Sequence, residues 1–186
     1  MMLSLKEKYN KEVIPLMVKK FGYKSIMAVP KIKKVAVNVG IGKILESVDP
    51  SKRENIIKDI SSNLALICGQ KPVVTKARKA IAGFKIREGS PVGIKVVLRK
   101  DRMYDFLERV INLALPRSRD FQGISQKSID KKGNLTIGIK EHIVFPEVKP
   151  ENSKVIFGME VTVVVEAKKR EEALELYKLL GFPLKV

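Results

Sequence analysis

Residues 69–99 read GQKPVVTKARKAIAGFKIREGSPVGIKVVLR. Gly69 is a residue that ends helices, because its missing side chain lets the backbone turn left-handed after the last helical residue. The stretch then carries Lys71, Lys76, Arg78, Lys79, Lys85 and Arg87 against one acid, Glu88. From Pro91 it alternates: Val92, Ile94, Val96 and Leu98 share one face of a strand, and Gly93, Lys95, Val97 and Arg99 share the other. A basic arm joined to a sheet is the expected structure, with residues 70–90 as a protruding loop. Like charges crowded on a loop repel one another unless an anion neutralises them, so the arm suits a partner better than its own core. Its few apolar side chains, Val73, Val74, Ile81 and Phe84, predict a mobile segment when the arm is free.

The rest of the chain has the same charge bias. Its 186 residues are 45% hydrophobic and carry a formal charge of +17, with lysine and arginine spread along the length. That is enough apolar material for one sizeable core, read as a single domain over residues 1–186, and a surface suited to a polyanion. One cysteine, Cys68, and one histidine, His142, provide neither an internal disulfide nor a metal-ligand set, so no metal or cofactor is expected. Charges at Lys6, Glu7 and Lys8 interrupt any secretory signal, and no stretch is apolar for the length of a membrane span. A cytoplasmic location without membrane contact is expected.

In chain order, Leu5, Tyr9, Val13 and Leu16 or Met17 recur at helical spacing, predicting a basic N-terminal helix within residues 1–30 that Pro15 ends or bends. Val35, Val37 and Val39 alternate with Lys34, Ala36 and Asn38 in a first strand. Gly40-Ile41-Gly42-Lys43 is superficially like a phosphate-binding loop, but Val37 stands at the first glycine position and Ile44 at the hydroxyl position, so a turn is the reading. Asp49-Pro50 and a capping box from Ser51 to Glu54 open a helix with the stripe Ile56, Ile60, Leu64 and Ile67, stopped by Gly69. Asp101 is expected to cap a helix with the stripe Met103, Phe106 or Leu107, Val110 and Ala114, closed by Pro116. After a basic loop to Lys132, two more alternating strands hold Leu135, Ile137 and Ile139, then Val161, Val163 and Val165. A final helix starts near Arg170 and stops at Gly181 and Pro183.

Four half-apolar strands and several one-sided helices imply an α+β two-layer sandwich: a mainly antiparallel sheet, helices on one face, and an open face beside the long basic loop. The open face carries Lys34, Asn38, Lys95, Arg99, Thr136, Lys140 and Thr162 with small residues between them, and no aromatic platform for stacking bases. Cations for phosphates and amides or hydroxyls for ribose fit shape and backbone recognition of folded RNA. No nucleophile with a base, carboxylate pair or metal cluster converges anywhere, so no catalytic residue is assigned. His142, followed by Ile143 and Val144, is read as partly buried or touching RNA.

These motifs in this order, residues 69–89, PVGIKVVLR at 91–99, DRMYDFLERV at 101–110, LPRSRDFQG at 115–123, GNLTIGIKEHIVFPEV at 133–148 and FGMEVTVVV at 157–165, resemble the bacterial ribosomal large-subunit protein five family, which binds 5S rRNA. The resemblance implies a structural constituent of the large subunit that anchors 5S rRNA in the central protuberance. Implied partners are 5S rRNA, 23S rRNA, P-site tRNA, neighbouring large-subunit proteins and a small-subunit head protein. For rRNA it implies Asn38, Gln70, Phe84, Arg87 and Arg99, joined by Lys34 and Lys95 from the open face. Thr75, Lys76, Ala77, Arg78 and Lys79 match the tRNA-facing tip, and Arg117 and Arg119 are placed at the intersubunit bridge. Val97 departs from the family's usual threonine, and the link from Ile44 to Lys52 is longer than the usual pattern. The alternative is a non-resident RNA-binding or assembly protein of the same fold.

Overall fold

The computed structural model describes residues 4–84, 86–119 and 121–185, without the side chains of Phe84 and Asn152. Five strands form one sheet in the order β2-β3-β1-β5-β4: β1 Lys31–Gly40, β2 Val73–Lys76, β3 Pro91–Leu98, β4 Leu135–Ile139 and β5 Met159–Glu166. With the helices this is an α+β fold. The strand that sequence reading missed is β2, which lies inside the segment taken for a loop. It pairs antiparallel with β3, Val73 opposite Lys95, Val74 opposite Ile94 and Thr75 opposite Gly93, with an irregularity between Thr75 and Lys76. Three successive β-branched residues, Val73, Val74 and Thr75, suit an extended backbone and explain the strand.

The chain divides into two compact units. One takes residues up to Val35, Leu98–Ile137 and those from Val161 on; the other takes Ala36–Val97 and Gly138–Glu160.

In the first unit, helix α1 runs as an α-turn Leu5–Lys8, a π-helical turn Tyr9–Val13 and an α-helix Ile14–Phe21. Pro15 therefore neither ends nor breaks it. A proline has no N–H and its ring collides with the carbonyl four residues back, and a wide turn just before it relieves both problems. The remedy is repeated in the next helix of this unit, formed by Lys100–Arg109, the π-turn Val110–Ala114 and Leu115–Arg117, which ends one residue after Pro116. Its N-cap is Arg99; Asp101 lies in the first turn and pairs with Lys6 at 2.6 Å instead of capping. The last helix, Arg170–Leu180, buries Ala173, Leu176, Tyr177 and Leu180, and the Tyr177 hydroxyl donates to the Gly133 carbonyl at 2.8 Å. Of the N-terminal stripe, Met17 is buried and Leu16 exposed.

In the second unit, β1 leads at Gly40 into a short helix, Gly42–Glu46, and then a long one, Pro50–Cys68. The glycine pair thus opens a helix rather than a simple turn. Asp49 is the N-cap of the long helix and Pro50 its first residue, but no side-chain cap bond forms, so the box from Ser51 is not made. Glu54 instead pairs with Lys58 one turn on, at 2.8 Å. Ile56, Ile60, Leu64 and Ile67 are buried as the spacing required, together with Val37, Val39, Ile94 and Val96 of the strands.

His142, read as partly buried or touching RNA, is wholly buried. Its ring stacks on Phe157 with centroids 3.9 Å apart and planes 4° from parallel. The Phe157 N–H donates to Nδ1 at 3.3 Å, and Nε2 lies 2.8 Å from the Ser153 hydroxyl. That hydroxyl also accepts from the Asn63 amide at 3.1 Å. With Nδ1 accepting, the proton sits on Nε2, and a neutral imidazole satisfies every partner. Burial holds the His142 pKa below its ordinary value, with the Asp59 carboxylate acting in the opposite direction. The unfolded chain therefore takes up the histidine proton before the folded one does. His142 contributes stability above about pH 6.5 that is lost as pH falls below it. Denaturant titrations from pH 7.5 to 5 should show the wild type losing stability more steeply than His142→Phe; parallel curves would contradict the buried neutral histidine.

Candidate nucleic-acid interface

In the second unit, the alternation of β1 and β3 sorts side chains by chemistry. While Val37, Val39, Ile94 and Val96 go inward, Asn38 and Lys95 stand exposed and Ala36 half-buried. Gly93, between them on β3, is itself buried. A Cβ placed on it would lie 2.9 Å from the Thr75 hydroxyl, 3.2 Å from the Val39 carbonyl and 3.8 Å from the Asn38 amide oxygen. The glycine is thus needed for close approach, and it brings Asn38 and Thr75 from the two flanking strands to one point. Gly138 and Lys140 are exposed at and just beyond the end of β4.

The arm continues the β2–β3 ladder. Ala77 N–H donates to the Ser90 carbonyl at 2.8 Å, Gly89 N–H to Ala77 at 3.0 Å, and Ile81 and Ile86 bridge each other at 2.9 and 3.2 Å. Gly89 sits at φ +78°, where a side chain would be strained. Lys76, Arg78, Lys79 and Arg87 are exposed, while Thr75 and Ala77 are half-buried in the stem. The Phe84 side chain and all of Lys85 lie outside the described residues.

Gln70 is half-buried at the arm's base, and its amide nitrogen donates to the Val97 carbonyl at 3.3 Å. That bond lies two residues past the Val73–Lys95 pair and extends the tie between the arm's two roots. Gln70 thus has a structural duty alongside any contact with RNA.

In the first unit, Lys34 is half-buried and Arg99 exposed, and the Thr136 and Thr162 hydroxyls face each other across β4 and β5 at 3.4 Å. Arg117 and Arg119 are exposed at and just beyond the end of the helix that carries Pro116.

A minority of the lysines are ion-paired. Lys6, Lys20, Lys31, Lys33, Lys52 and Lys58 have carboxylate partners within 4 Å. Among the described residues, Lys34, Lys76, Arg78, Lys79, Arg87, Lys95 and Arg99 have none. Within the second unit, Lys95 with the Asn38 amide can bind phosphate and ribose together. No three His, Cys, Asp or Glu side chains gather as a metal site among the described residues, and no described helix is long and apolar enough to cross a membrane.

Comparison with known proteins shows the family. Residues 25–87 match the family described as ribosomal protein L5, and residues 91–184 match the ribosomal L5P family C-terminus. The chain belongs to the ribosomal L5 family. It is 52% identical over 181 residues to the large ribosomal subunit protein uL5 of Dictyoglomus turgidum, covering 97% of this chain and 98% of that one. The uL5 protein of Halothermothrix orenii is 50% identical over 179 residues, 96% and 97% of the two chains. That of Geotalea daltonii is 47% identical over 184 residues, 99% of each. As an L5-family member the chain is a structural protein of the large ribosomal subunit, acting in translation on the ribosome in the cytoplasm.

Sequence reading missed the place of Thr75, which belongs by geometry to the sheet and not to the arm's tip. Its signal was available in the β-branched run that ends on it and in a lone glycine on the facing strand. Gln70→Ala should lower stability by about 1 kcal/mol through the lost bond to Val97. Urea unfolding measures this, and an unchanged midpoint would mean that the bond contributes nothing in solution.

Proposed function

We propose that this L5-family protein holds 5S rRNA in the large subunit through the open sheet surface and the root of the arm. The exposed Asn38 and Lys95, on neighbouring strands and without side-chain partners among the described residues, are the observation behind this reading. Asn38 and Lys95 meet the ribose–phosphate backbone, with Lys34, Gln70, Arg87 and Arg99 as further rRNA residues. Phe84 joins this set on the family resemblance alone. Lys76, Arg78 and Lys79, around Ala77, face P-site tRNA from the tip of the arm. Arg117 and Arg119 serve a bridge to a protein of the small-subunit head, and the remaining basic surface meets 23S rRNA and neighbouring large-subunit proteins.

The chemistry supports a division of labour. The sheet side offers an amide and cations at fixed spacing, because strand residues two apart on one face are about 7 Å apart. The arm offers clustered charge on a narrow stem, suited to a backbone met without base reading.

Binding of the purified chain to a 5S rRNA transcript should fall steeply with salt. About six phosphate contacts correspond to a loss of roughly a thousandfold between 50 and 200 mM salt. Asn38→Ala should weaken this binding about tenfold, as expected for a lost pair of hydrogen bonds to RNA. Lys76→Ala with Arg78→Ala should leave the specific 5S complex intact and reduce tRNA affinity in assembled ribosomes. Equal affinity for any folded RNA of similar length, or a salt-insensitive complex, would overturn the assignment.

A further inference from the structure

Between the N-terminal helix and β1, the first unit turns through a 3-10 helix, Ile26–Ala28, that holds two neighbouring apolar side chains out in water. Ile26 is 65% exposed and Met27 82%, the most exposed large hydrophobic side chain among the described residues. Apolar residues exposed one at a time are ordinary, but an adjacent pair held on a fixed turn is not. The turn is fixed at both ends. The Ser25 hydroxyl accepts the Met27 N–H at 3.3 Å, its carbonyl accepts the Ala28 N–H at 3.0 Å, and the Val29 N–H donates to the Ile26 carbonyl at 3.1 Å. Val29 and Pro30 are buried, and the Tyr9 hydroxyl donates to the Pro30 carbonyl at 3.0 Å. Collapse of the pair onto the core would break these bonds. Charge then says what can cover it. From Val13 to Leu45 the sequence holds no acid. Glu175 pairs with Lys20, and Glu166 reaches Lys31 and Lys33 only at 3.9 Å. Lys19 and Lys24, both exposed just before the turn, have no carboxylate partner among the described residues.

We infer that Met27, with Ile26 beside it, is an apolar knob that packs on an unstacked base of 5S rRNA, with Lys19 and Lys24 on the neighbouring phosphates. A base offers a flat apolar face and its backbone a negative charge, so one RNA segment meets both halves of this surface. Methionine and isoleucine side chains enter gaps between bases in the same way. A protein partner would have to bring an acidic rim around an apolar socket. The knob stands on the turn before β1 and not on the sheet, and it supplies a kind of contact that the amide and cations of the sheet do not. The inference rests on the 5S rRNA reading above and adds to it a second contact site and the part of the nucleotide that it takes.

The test measures binding of the full chain to a 5S rRNA transcript across a salt series. Met27→Ser removes the apolar surface, and Met27→Phe replaces it with a ring that stacks on any base. Met27→Ser should bind about tenfold more weakly with an unchanged salt slope, and Met27→Phe within about twofold of wild type, both with unchanged melting temperatures. Lys24→Ala should instead lower the slope of log affinity against log salt by about one, as for one lost phosphate contact. An equal loss in Met27→Ser and Met27→Phe means a socket shaped for methionine and overturns packing on a base. Full affinity in Met27→Ser and Ile26→Ser, while Asn38→Ala still weakens binding, overturns the knob as an RNA contact and leaves the 5S rRNA reading standing. Loss of those two variants from salt-washed large subunits would in that case assign the knob to a protein. If Asn38→Ala is silent while Met27→Ser weakens binding, the knob stands and the sheet reading fails; if both are silent, both are wrong.

Discussion

Val73 faces Lys95, Val74 faces Ile94 and Thr75 faces Gly93, and this short ladder fixes where every functional side chain of the arm can go. A register slip by one residue would turn Thr75 away from Asn38 and bring a valine to the surface in its place. The ladder is supported at both ends. Gln70 ties its root to Val97, and the Ala77–Ser90 and Ile81–Ile86 bonds carry the pairing outward. A basic segment that would otherwise spread by self-repulsion is thereby held as a narrow projection, with its cations displayed and its polar root kept against the sheet.

The distribution of acids completes the arrangement. Carboxylates partner Lys6 and Lys20 of the N-terminal helix, Lys31 and Lys33 at the start of β1, and Lys52 and Lys58 of the long helix, but the arm contributes only Glu88 among seven charged residues from Lys71 to Glu88. Exposed pairs of this kind add little stability, so their main effect is on where the net positive potential remains. It remains on the arm among other places, where Lys76, Arg78, Lys79 and Arg87 are exposed without a carboxylate partner among the described residues. The folded protein therefore tolerates local repulsion where its RNA partner is expected, a cost that binding and counterion release offset.

Much of this was legible from residue order. Period-two alternation located β1, β3, β4 and β5, because one face of each strand must be apolar. Helical spacing found Ile56 to Ile67 and Met103 to Ala114 for the same reason. Pro15, read as ending or bending its helix, lies in a helix that runs on to Phe21, while Pro116 stands one residue before its helix ends at Arg117; a π-turn before each absorbs the missing N–H and the ring. Asp101 and Ser51 looked like caps by spacing alone, but Asp101 found a lysine distant in sequence and Ser51 fell inside the helix. His142 was hidden because its burial depends on Phe157, Ser153 and Asn63, none of them predictable as its neighbours from the local text. The strand β2 was obscured by its charges. Only the pairing with β3 shows that Val73 to Lys76 form a strand, with its irregularity between Thr75 and Lys76.

Ultraviolet crosslinking of the chain to 5S rRNA, with the linked peptides read by mass spectrometry, tests the central claim most directly. The account predicts crosslinks on the peptides that contain Asn38 and Lys95, with those containing Arg78 and Lys79 unmodified until tRNA and ribosomes are supplied. Crosslinks confined to the arm's tip, or an identical pattern with an unrelated RNA, would contradict it.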